Sequence, residues 1–302
     1  MKKFLALLLA ALLLPLGAVA ETIVTSFYPI YLFTLNLTEG IEGIEVRNLA
    51  APDTGCLHDY QLQTGDMKKL AEADAFLING AGMESYLSGV MEAFPQLPVV
   101  DASAGIELLC AEEDHGHDHD HDHAHDHGEY NAHVWLDAAN AQTMVRNLAE
   151  GLMAACPASA EQIAANRDSY IARLAELDQE LTAALAELPR KDIITFHEAF
   201  PYFAQAYGLN VAAVVNREPS DALSPAKLAE LVKTVRDLGV PPLFVEPQYE
   251  DMAAQTLARE TGAKLYTLDP VVTGPVTDVP LTYYEDVMRA NVQVLLTALT
   301  AD

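Results

Sequence analysis

The segment 159-SAEQIAANRDSYIARLAELDQELTAALAEL-188 decides how the rest of this 302-residue chain is read. Its apolar residues Ile163, Tyr170, Leu174, Leu177, Leu181 and Leu185 recur at intervals of three, four or seven, which lines up one face of a helix. No glycine or proline interrupts the run. Cys156-Pro157 precedes it, Ser159 is a candidate N-cap, and Pro189 stops it. About thirty residues at about 1.5 Å of rise each make a rod of about 45 Å, longer than one small domain needs. The economical reading is a rigid connector between two bodies.

Working outward, strand-like and helix-like segments alternate on both sides of the rod. On the N-terminal side strands are expected at Thr22–Ser26, Ile44–Leu49, Ala75–Asn79 and Val99–Val100. Helices are expected at Ile30–Leu37, Gln63–Ala71, Glu84–Ala93 and Ala138–Ala155. On the C-terminal side strands are expected at Asp192–Phe196, Val211–Val215, Leu243–Val245 and Lys264–Leu268. Helices are expected there at Ala199–Tyr207, Ser224–Leu238, Tyr249–Thr261 and Tyr284–Leu299. This alternation predicts an α/β protein of two (β/α) lobes, residues 21–156 and 190–302, joined by one long rigid helix within 157–189. The two halves match in order of elements, without a visible sequence repeat.

Composition narrows the partners. Half of the residues (51%) are apolar, enough for a sizeable core, and the formal net charge is −27. Such a field repels nucleic acid and anionic membrane surfaces and attracts cations. Residues 1–20 read as a signal peptide: Lys2 and Lys3, an apolar run from Phe4 to Leu14, then Ala18-Val19-Ala20 before Glu21. Cleavage after Ala20 would release an exported, periplasmic chain, expected to be a monomer. No cysteine stands at the cut to take a lipid, and no later run is long enough for membrane insertion. Cys56, Cys110 and Cys156 make an odd set for an oxidising compartment. One disulfide with one free thiol is the simplest arithmetic. Cys56, two residues from His58, is alternatively a metal-proximal thiol.

The histidines carry the chemistry. Seven of ten lie between Asp114 and Gly128: His115, His117, His119, His121, His123, His125 and His127, largely alternating with aspartate. This tract cannot build a core, and neutral imidazoles beside carboxylates suit a borderline divalent cation such as Zn(II). A solvated acidic loop is the plain alternative. The other three are scattered. His58 follows the second expected strand, His133 stands before Val134-Trp135-Leu136-Asp137, and His197 directly follows the strand ending at Phe196. Asp269 has the same placement after Thr267-Leu268. In open α/β sheets ligands bind at the carboxyl ends of strands, and three imidazoles with one carboxylate complete a four-coordinate zinc site. Asp101, Glu198 and Glu246 also follow strands and compete with Asp269; Glu198, adjacent to His197, is a candidate supporting carboxylate.

The blocks Gly55-Cys-Leu-His58-Asp-Tyr-Gln-Leu62, Leu70–Asp74, Asn79-Gly80 through Met83-Glu84, Asn131-Ala-His133-Val-Trp-Leu-Asp137 and Thr195-Phe-His197-Glu-Ala-Phe-Pro-Tyr-Phe203 with Tyr207-Gly208-Leu209 come in a telling order. Glu218–Ser220 through Ser224-Pro225, Phe244-Val-Glu246-Pro and Thr267-Leu-Asp269-Pro continue it. Together they resemble the zinc/manganese solute-binding proteins of bacterial ABC importers, from Thr22 nearly to the C-terminus. The resemblance implies two α/β lobes joined by a long helix, with metal in the interlobe cleft. It implies ligands at His58, His133, His197 and Asp269, and as partners a permease transmembrane subunit with its cytoplasmic ATPase. It also implies that the histidine-rich tract is an accessory, weaker site for capture or sensing of zinc. Manganese members of that family tend to carry glutamate where this chain has His197, and an all-imidazole trio suits Zn(II) better. The rival readings are a Mn(II) receptor or adhesin of the same family, and a zinc hydrolase with Glu198 as base. The hydrolase is disfavoured because catalytic zinc keeps a position open, and no HExxH or GxSxG motif is present.

Overall fold

The computed structural model describes residues 20–57, 60–111, 130–215, 224–248 and 252–300. Two four-stranded parallel sheets organise them. The first contains β1 (Glu21–Thr25), β2 (Ile44–Asn48), β3 (Ala75–Ile78) and β4 (Val99–Asp101), in the order β2-β1-β3-β4. The second contains β5 (Asp192–Thr195), β6 (Asn210–Val214), β7 (Leu243–Val245) and β8 (Leu265–Thr267), in the equivalent order β6-β5-β7-β8. The helices are α1 (Tyr28–Leu37), α2 (Thr64–Ala71), α3 (Leu87–Ala93), α4 (Ala138–Ala155), α5 (Ala160–Leu185), α6 (Pro201–Tyr207), α7 (Pro225–Asp237), α8 (Met252–Thr261) and α9 (Tyr283–Thr300). The expected two-lobe α/β architecture is the one observed.

Parallel sheets need cover on both faces, and the alternation of side chains along each strand divides the core accordingly. Val24, Phe76 and Ile78 point to a small core with Leu70 of α2 and Val90 of α3. Ile194 and Leu243 point to a second, with Leu231 and Val235 of α7 and Leu257 of α8. The alternate residues, Ile23, Leu77, Ile193 and Phe244, all face one continuous core that runs through both lobes.

Helix α5 threads that shared core. The six apolar positions that predicted it are its buried residues. It packs along α4 and α1 on one side and reaches α9 and α6 on the other. Its N-cap is Ser159, as expected, which also ends a separate 3-10 turn over Pro157–Ser159, and the helix stops at Leu185, short of the expected Leu188. Ser159 makes no side-chain cap hydrogen bond. Helix α9 belongs to neither lobe alone, since it touches β8, α5 and α1.

A second shift concerns α3, which begins at Leu87 instead of Glu84. The Glu84 carboxylate is used to accept hydrogen bonds from the backbone N–H groups of Asn79 (2.8 Å) and Gly80 (3.1 Å) at the end of β3. The cysteine arithmetic is corrected: no disulfide joins Cys56, Cys110 and Cys156. Half-buried, exposed and buried respectively, they lie in three different environments. Among the described residues no helix is long and apolar enough to cross a membrane.

Candidate metal centre

In a doubly wound sheet the strand order reverses once, and the loops leaving the two strands at that point diverge to leave a crevice. In the second sheet the reversal lies between β5 and β7. His197 follows β5 and Glu246 follows β7, so they meet there. His197 Nδ1 lies 2.7 Å from Glu246 Oε1, with both side chains almost wholly buried. Gln248 Nε2 donates to the other carboxylate oxygen at 2.5 Å. A carboxylate on Nδ1 fixes the ring and its tautomer, which makes Nε2 the nitrogen that His197 offers a metal.

The first sheet reverses between β1 and β3. Here β3 ends in Asn79, whose Nδ2 donates to the carbonyl of Ala132 at 2.9 Å and so holds the next residue, His133. Gly80 has φ +78°, and a Cβ there would overlap the side chains of Asp101 and Ser103. Asn131 Oδ1 accepts from the His133 backbone N–H at 3.0 Å and lies 3.2 Å from its Nδ1. His133 therefore also offers Nε2, and that atom stands 3.4 Å from Cys56 Sγ on the loop leaving β2.

The two imidazoles meet across the lobes, 4.9 Å between ring centroids and nearly perpendicular. One donor atom each from Cys56, His133 and His197 lies within 4.8 Å of the others. Both histidines are 2% exposed. Two nitrogens of buried imidazoles and a sulfur, converging there, form a donor set for a borderline or soft ion, whereas a hard cation would need oxygens.

Of the other expected ligands, His58 lies outside the described residues, as do His115 through His127. Asp269 is described and does not join the converging atoms. Its Oδ1 accepts from the Val271 N–H at 2.7 Å, and its backbone is paired on both sides with the Asn291 carboxamide, at 2.8 and 2.7 Å. Burial, and secondarily the nearby negative charge of Glu246, push its carboxyl up to about 6. Val271, buried and β-branched, sits at φ +64° in the left-handed region, a conformation that costs energy. The same loop is tied to the other lobe by Trp135 Nε1, which donates to the Pro270 carbonyl at 2.7 Å.

Glu198 is buried beside His197, and its backbone carbonyl accepts from Asn131 Nδ2 at 2.7 Å, another tie between the lobes. The carboxylate bonded to the imidazole is Glu246, which sequence reasoning named only as a competitor of Asp269. Its signal was the same as that of His197: a polar residue at a strand's carboxyl end.

A family model described as ZnuA, zinc-uptake complex component A periplasmic, matches residues 23–298. The zinc-binding protein AdcA of Streptococcus pyogenes is 33% identical over 294 residues, covering 93% of this chain but 56% of that protein. The chain thus spans little more than half the length of that relative. The high-affinity zinc uptake system protein ZnuA of Bacillus subtilis is 32% identical over 281 residues, covering 92% of this chain and 87% of that protein. Among solved structures, the solute-binding protein FpvC of Pseudomonas aeruginosa in complex with Mn2+ superposes with a TM-score of 0.80 at 26% identity, over 93% of this chain and 98% of that one. This chain belongs to the ZnuA family, the periplasmic component A of zinc-uptake complexes.

Proposed function

We propose that this protein is a high-affinity periplasmic receptor for Zn(II), exported by removal of residues 1–20, that hands its ion to the transmembrane subunit of an ABC permease driven by a cytoplasmic ATPase. It acts as a monomer and a carrier, and the ion is cargo that leaves unchanged. The observation that carries the reading is the buried meeting of His133 and His197 from opposite lobes, with Glu246 locking the second ring. Two buried imidazoles that meet from opposite lobes are a donor pair suited to a borderline cation.

The ligand set we assign is His58, His133, His197 and Asp269, three nitrogens and one oxygen in the four-coordinate pattern zinc prefers. The fold does not select the ion, since a neighbour of the same fold holds Mn2+. Donor chemistry does, and imidazole-rich sites favour zinc over manganese. The tract from His115 to His127 gathers zinc more weakly, because its alternating His and Asp composition offers almost no apolar residues to hold the ligands in place before the ion arrives.

Competition titration of the metal-free protein against a zinc chelator tests both statements. One tight equivalent and a weaker set are expected. Deleting residues 115–127 should remove the weak set alone, and His197→Ala should remove the tight one. Loss of the tight site on deleting the tract would overturn the assignment.

A further inference from the structure

Cys56 has no role in a site of three histidines and an aspartate, yet its sulfur is one of the three donor atoms that converge there. Its distance to His133 Nε2 is informative. Zinc bonds of about 2.0–2.1 Å to nitrogen and about 2.3 Å to sulfur, at a tetrahedral angle, put the N and S atoms about 3.6 Å apart. The observed separation is 3.4 Å. The contact is a thiol–imidazole hydrogen bond, and its length is also the spacing that two ligands of one zinc ion keep. Asp269, by contrast, has one carboxylate oxygen engaged by Val271 and stands apart from the cluster.

We propose that Cys56 Sγ is a direct ligand of the bound zinc, joined to the nitrogens of His133 and His197 and taking one of the two positions that the assignment above gives to His58 and Asp269. The inference rests on the receptor reading above. When the S–Zn bond forms, a water leaves the ion and the thiol proton passes to solvent, so charge and atoms balance without oxidant or reductant. A sulfur ligand biases the site further toward zinc and away from manganese, whose preference is for oxygen.

The other two thiols differ in ways that make them internal controls. Cys110 is exposed, and Cys156 is buried with its thiol pushed up to about 11, which keeps it inert. Two measurements on the full mature chain decide the matter. The first is the absorption spectrum with one equivalent of Co(II) in place of zinc: a sulfur-to-cobalt charge-transfer band is expected in the near ultraviolet, and Cys56→Ser should abolish it. The second is alkylation by iodoacetamide followed by peptide mass spectrometry, with and without one equivalent of zinc. Zinc should slow modification of Cys56 at least about tenfold and leave Cys110 unchanged. This second test needs no variant and holds even if Cys56→Ser fails to fold. Tight zinc binding without the band and without protection of Cys56 would sink the sulfur ligand while leaving the receptor intact. Absence of any tight equivalent would sink both.

Discussion

Glu246 shows what a single residue contributes here. It makes a 2.7 Å bond to His197 Nδ1 from a strand end 49 residues away and leaves Nε2 as the nitrogen that His197 can offer a metal. Glu246→Gln keeps the shape and removes the charge. We expect zinc affinity to fall about 10- to 100-fold with little change in folding, as for other carboxylates behind metal-binding histidines; a chelator competition assay reads it, and unchanged affinity would exclude the role. Glu84 gives a pH prediction away from the ligands. Burial pushes its carboxyl up to about 7 from an ordinary value of 4.5, against the pull of the Ser26 side chain and the backbone N–H groups of Asn79, Gly80 and Glu84 itself. A folded value above the unfolded one means that the native state binds the extra proton. The associated stability is therefore complete below about pH 4.5 and is lost as pH rises through about 7. Denaturation of the wild type and of Glu84→Gln at pH 4, 6 and 8 should show the wild type losing ground, by about 3 kcal/mol at most. A constant difference would mean that folding leaves the Glu84 carboxyl unshifted.

At the scale of elements, periodicity was legible because it reports burial, and burial is what shapes an element. The six apolar positions of α5 are the residues it buries. Its start was legible, since Ser159 is the N-cap, but its end was not, because the helix stops at Leu185 and not at Leu188. Nor was the start of α3, since the side chain of Glu84 serves backbone donors elsewhere in the fold. Helix α4 contains a glycine, Gly151, that propensity alone would replace with alanine for a gain of up to about 1 kcal/mol. The packing argues the reverse, since a Cβ at Gly151 would overlap the Val100 side chain of β4, which is stiff at χ1. We expect Gly151→Ala to lower stability by about 1–3 kcal/mol in urea unfolding. Adding Val100→Ala should recover part of that loss in a double-mutant cycle. Strictly additive effects would show that the two residues do not meet.

At the scale of the molecule, the shared core sets what the lobes can do. Ile23 and Leu77 of one sheet and Ile193 and Phe244 of the other belong to a single buried cluster with α5 and α9. Tyr202 donates to the carbonyl of Asn131 (3.0 Å), and Tyr284 to that of Trp135 (2.6 Å), so each latch from the second lobe bonds backbone of the first. Lobes joined in this way should unfold together. Trp135, the sole tryptophan, lies in that core with its ring 5.1 Å from His133. Its fluorescence and the far-ultraviolet circular dichroism should therefore trace coincident transitions, and zinc should move both equally. At a free zinc concentration of about 1,000 times Kd the gain should be about 4 kcal/mol. Separate transitions for the two probes would mean that the lobes fold independently.

The sequence by itself determined the alternating strands and helices, the long connector, and the scattered polar residues placed at strand ends. Those follow from local periodicity and turn chemistry, which neighbouring residues in the chain settle among themselves. It also exposed His133, just before the apolar Val134-Trp135-Leu136, and His197, just past the strand ending at Phe196, as candidates. Only the tertiary structure decided that these two meet, that Glu246 stands behind His197, and that the sulfur of Cys56, 77 residues before His133, reaches the same point. The reason is physical. Which strand ends become neighbours depends on the order in which strands pair, and that order is fixed by burying both faces of two sheets around one common core.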